Sequence, residues 1–144
     1  SSVSVTYGYC KQTALCSGDF RAAVNEQPGS ASVVQGVGAS LGGVGYSGLG
    51  FRTSGIRAVP LARRAGAAYV APRAEHAVDG SYPLSRYLYL YVNHRPDTPL
   101  PALQQEFLRL VLSATGQQLV LRDGYVPLPA PVAAAELRTV GVEP

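Results

Sequence analysis

The chain has 144 residues, 47% of them hydrophobic and only 15% charged, enough apolar content to bury a core and too much for a disordered segment. Its 12 basic and 9 acidic residues leave a formal net charge of +3, with Arg63-Arg64 as the one adjacent basic pair. No Lys/Arg stripe with interleaved aromatics appears, so no nucleic-acid partner is expected. No apolar run reaches the length of a membrane span, and no stretch reads as a signal peptide.

The chain opens on Ser1-Ser-Val-Ser-Val-Thr-Tyr-Gly8 and runs into a helical segment predicted from Tyr9 to Leu15. Hydroxyls at Ser2, Ser4 and Thr6 stand where that helix begins, beside its first backbone N–H groups and the positive end of its dipole. Such a point suits a phosphate, sulfate or carboxylate without a metal or a nucleophile. The plainer reading is that Ser4 or Thr6 is an N-cap. Because the sequence contains no Met, Ser1 is not a translation start, and residues upstream of it are expected.

Cys10 and Cys16 lie six residues apart, roughly 9 Å in a continuous helix and beyond disulfide reach. A bridge would need the helix to end near Thr13. Two half-buried thiols and a local disulfide therefore both stay open, and the pair lacks the partners of a metal site. A turn follows over Cys16-Ser-Gly-Asp19, then one or two helical turns from Phe20 to Asn25. Gln27-Pro-Gly-Ser30 breaks the chain and supplies Ser30 as N-cap of a helix from Ala31 to Leu41, with Val33, Val34 and Val37 on its apolar face. Gly42-Gly43 ends it.

Val44-Gly-Tyr46 reads as a short buried strand and Ile56 to Leu61 as another, with a short helix over Arg73 to Val78. From Ser85 to Val92, Ser85, Tyr87, Tyr89 and Tyr91 alternate with Arg86, Leu88, Leu90 and Val92, the pattern of a strand with two different faces. After the Pro96, Pro99, Pro101 turn comes a helix from Ala102 to Ser113, with Leu103, Phe107, Leu110 and Val111 on one side. A helix over Thr115 to Leu121 closes at Asp123-Gly124. An extended run through Pro127, Pro129 and Pro131 leads to a last helix over Val132 to Val140. Strands alternating with helices predict an α/β layered fold.

Six stretches, taken in order, resemble the carboxyl-terminal half of the periplasmic phosphate-binding proteins of ABC-type phosphate uptake. They are the Ser/Thr helix start with Tyr7-Gly8-Tyr9, Gly18-Asp-Phe20, Gly29-Ser-Ala-Ser-Val-Val34, Val44-Gly-Tyr-Ser-Gly48, Tyr82-Pro-Leu-Ser-Arg86, and Gly124-Tyr-Val-Pro-Leu-Pro129. The resemblance implies a lobe of the type II periplasmic-binding-protein kind, a mixed β-sheet flanked by helices, forming part of a two-lobe protein. Residues 1–82 would be the anion-binding lobe, and 83–144 a crossover strand with carboxyl-terminal helices that pack on the other lobe.

In that family a Ser-Gly-Thr at the helix start donates hydrogen bonds to phosphate, which by position implies Ser4, Val5 and Thr6 here. Val5 stands where the family has Gly, and its branched Cβ would crowd the approach of the backbone. Ser2 falls where some members have an Asp. Implied partners are inorganic phosphate, a membrane ABC permease, and either the missing amino-terminal lobe or a second copy of the chain, in the periplasm or secreted. That lobe or copy would cover the Leu103, Phe107 and Leu110 face, so that the chain is not expected to persist as a free monomer.

His76 and His94 lie apart from any Ser or acidic pattern that could form a triad, and Glu75, Asp79, Asp97 and Glu106 form no paired-carboxylate arrangement. No enzyme, cofactor or metal is expected. The alternative to a phosphate carrier is a scaffold or interaction protein that has kept the lobe and lost the anion site.

Overall fold

The computed structural model describes residues 5–95 and 98–144, and for Val5 the backbone alone. Its helices are α1 (Val5–Ala14), α2 (Ser30–Gly38), α3 (Ala74–Val78), α4 (Ala102–Leu112), α5 (Ala114–Arg122) and α6 (Ala130–Thr139), with a 3₁₀ turn at Leu49–Phe51. The expected α/β lobe with a mixed sheet is overturned. Every regular element among the described residues is a helix, and β-pairing is limited to one isolated antiparallel bridge between Leu61 and Val70.

The physical reason is that alternation reports two unlike faces, whereas a strand also needs a neighbour within hydrogen-bonding distance. The segment 85–92 forms no ladder. Both of its faces are exposed, with Tyr91 at 92% and Leu88 at 64%. The expected buried strand at Val44–Tyr46 is likewise irregular, and Val44 is 89% exposed. Of the strand expected over Ile56–Leu61, the bridge at Leu61 is what forms. Phe20–Asn25 makes no helix either, its one backbone turn being Val24 N–H to the Arg21 carbonyl at 3.3 Å.

The described residues divide into two units, the first drawn from Ser1–Pro72 with Tyr82–Leu84 and the second from Arg73–Ser81 with Ser85–Pro144. In the first, α2 packs on the 3₁₀ turn and buries Val34. Ser30 is the first residue of α2 and Gly29 holds the cap position, one residue earlier than the sequence suggested. Gly45 lies so close to α2 that a Cβ there would stand 2.8 Å from Val33 Cγ1 and 2.9 Å from Val37 Cγ2. Glycine is required at 45 for that approach.

The second unit is built on α4, which packs against both α5 and α6. Leu100, Leu108, Leu137 and Val142 form its core, with Val92, Leu112 and Val140 packed against them. Burying a Leu or Val side chain is worth about 1.5–3 kcal/mol, so this cluster is the main apolar stabilisation of the unit. The expected apolar side of α4 is not the buried one: Leu108 is 5% exposed, while Leu103, Phe107 and Leu110 are 83%, 53% and 55% exposed.

Two helix ends follow one rule. At α6 the Val142 N–H reaches the Leu137 carbonyl and the Gly141 N–H the Arg138 carbonyl, each at 3.0 Å, with Gly141 at φ +72°. At α5 the Tyr125 and Gly124 N–H groups reach the Val120 and Leu121 carbonyls, with Gly124 at φ +81°. Both are Schellman closures, in which glycine takes the left-handed position and satisfies the last carbonyls. Val142 and Leu137 supply the hydrophobic contact that accompanies such a closure.

Candidate functional site

Among the described residues helix α1 spans Val5–Ala14, so it includes at least four residues before the expected Tyr9, and Val5 and Thr6 belong to the helix. Both are β-branched, a class that loses side-chain freedom in a helix, which is why the sequence pattern did not include them. Ser2 and Ser4 lie outside the described residues. Of the four candidate anion ligands, the structure thus places Thr6, half-buried in the first turn, and the backbone of Val5. No acidic residue occupies that turn, and Lys11 lies in the last one.

An aromatic stack is built off this turn. The Tyr7 ring lies 5.0 Å from that of Phe20, which lies 5.8 Å from Tyr46 in near-parallel orientation. These spacings suit offset aromatic packing, worth about 0.5–1.5 kcal/mol per pair beyond burial. Ser47, next in sequence, donates from Oγ to the Ser30 carbonyl at 3.2 Å. The stack and this bond bring four of the six motif stretches together within the first unit, those containing Tyr7, Phe20, Ser30 and Tyr46. Sequence reasoning missed the stack because no local pattern links positions 7, 20 and 46.

Burial, then the neighbouring Cys10 sulfur, pushes the Tyr46 phenol above its ordinary pKa, so it stays a neutral hydroxyl at physiological pH. The Lys11 ammonium pairs with Asp19, which raises its pKa and keeps it charged. Past Ala14 the chain turns back through Cys16 and Ser17 at φ +49° and +65°, and the Ser17 N–H reaches the Lys11 carbonyl at 3.0 Å. Cys10 is buried and Cys16 exposed, with no disulfide between them.

Elsewhere, His94 Nε2 lies 2.6 Å from the Thr98 carbonyl beside an open hollow of about 240 Å³ in the second unit. Among the described residues no group of three or more His, Cys, Asp or Glu gathers that could hold a metal. No described helix is long and apolar enough to cross a membrane.

No protein-family model matches the chain. Two curated proteins do, the phosphate-binding proteins PstS of two Pseudomonas aeruginosa strains, each 57% identical over 142 residues. The match takes in 99% of this chain and 44% of each relative, so the chain spans less than half the length of the curated relatives it matches. Both relatives are named as phosphate-binding proteins. The resemblance carried by the six motifs is thereby shown, and the chain is homologous over almost all of its length to a part of the phosphate-binding protein PstS.

Proposed function

We propose that the chain serves as part of the solute-binding component of ABC-type phosphate uptake, holding inorganic phosphate at the amino-terminal end of α1. The observation that carries this reading is the 57% identity to proteins named for phosphate binding over 142 residues. Within the chain, the positive end of the α1 dipole and the Thr6 hydroxyl supply uncharged donor chemistry suited to an oxyanion, with Val5 on the same turn and Ser2 and Ser4 immediately upstream. Hydrogen bonds to a charged acceptor are worth about 1.5–3 kcal/mol each, so a few donors suffice to hold phosphate.

The proposal keeps residues 1–82 as the anion-binding part and 83–144 as the part that meets the remainder of a PstS-type protein or a second copy of the chain. Exposed Leu103, Phe107, Leu110 and Tyr87–Tyr91 offer the apolar surface for that contact. A membrane permease and a periplasmic or secreted location belong to the same reading. One residue favours the alternative, a scaffold or interaction protein without an anion site: Val5, where the family carries glycine.

Tyrosine fluorescence during a phosphate titration tests the proposal, because Tyr7 sits in the first turn of α1. A saturable change is expected. A flat signal, together with retention of an intact PstS remainder by the immobilised chain, would favour the scaffold reading.

A further inference from the structure

We draw no further inference here: the strongest candidate, the apolar face that segment 85–92 and helix α4 expose in the second unit, belongs to the contact surface already proposed, and nothing in the structure shows what else covers it.

Discussion

Replacing Gly116 with alanine should destabilise the second unit, and the geometry at the α4–α5 joint gives the magnitude. A Cβ at 116 would stand 2.1 Å from the Leu110 carbonyl oxygen, 2.6 Å from that of Val111 and 2.9 Å from the Val111 carbonyl carbon. All three are backbone atoms, so no rotamer change relieves the clash. Non-bonded heavy atoms settle at about 3.5–4.0 Å, and the first turn of α5 must therefore move by roughly 1 Å or more. That shift strains the Gly116 N–H to Ser113 Oγ cap at 3.1 Å. It also strains the Gln117 amide, which donates to the Val111 carbonyl at 2.9 Å and accepts from the Leu128 N–H at 2.7 Å. Overpacking costs about 1–3 kcal/mol and a lost cap about 1 kcal/mol, while alanine's better helix propensity returns about 1 kcal/mol. The net loss is roughly 1–3 kcal/mol, read from urea unfolding followed by far-UV circular dichroism. Gly36→Ala is the control: it lies inside α2 with nothing within 4 Å of the added Cβ, and should gain up to about 1 kcal/mol. A Gly116→Ala chain as stable as the parent would refute the close approach of the two helices.

Leu137→Ala should cost about 2–5 kcal/mol by opening a cavity beneath Leu108 and Val142, and an unfolding midpoint within error of the parent would contradict the core described. Ser81, whose N–H donates to Asp79 Oδ1 at 2.8 Å, holds the Asp79 carboxyl below its usual value. A lowered folded-state pKa means that this contribution to stability is present above about pH 3.9 and is lost as the pH falls through the folded-state value. In an NMR titration the Asp79 midpoint should lie below that of an unperturbed aspartate, and a midpoint at or above the unperturbed value would contradict the assignment. In a protein that carries the upstream lobe as well, Val5→Gly should tighten or restore phosphate binding in isothermal titration, whereas equal affinities would mean that the valine side chain points away from the ligand.

The helices of the second unit were legible because local chemistry specifies them. Leu, Gln, Glu and Arg fill α4 between Pro101 and Ser113, and Gly124 and Gly141 sit where the α5 and α6 closures demand positive φ. The face α4 buries was not legible, since Leu108 and Leu110 look alike until α6 selects one of them. The tyrosine alternation at 85–92 was read as evidence of a sheet, but it carries no information about whether a neighbouring strand exists. At the candidate site the helix expected from Tyr9 already includes Val5 and Thr6, and the hydroxyls of Ser2 and Ser4 lie outside the described residues. The Tyr7–Phe20–Tyr46 stack depends on contacts far apart in sequence and left no trace in it.

The central claim, that phosphate is held at the amino-terminal end of α1, is tested most directly by isothermal titration of inorganic phosphate into the chain and into its Thr6→Ala variant. The account predicts one saturable site in the parent and an affinity roughly 10- to 100-fold weaker in the variant, the equivalent of one hydrogen bond to a charged ligand. Saturable binding that Thr6→Ala leaves unchanged, or no binding by the parent, would contradict it.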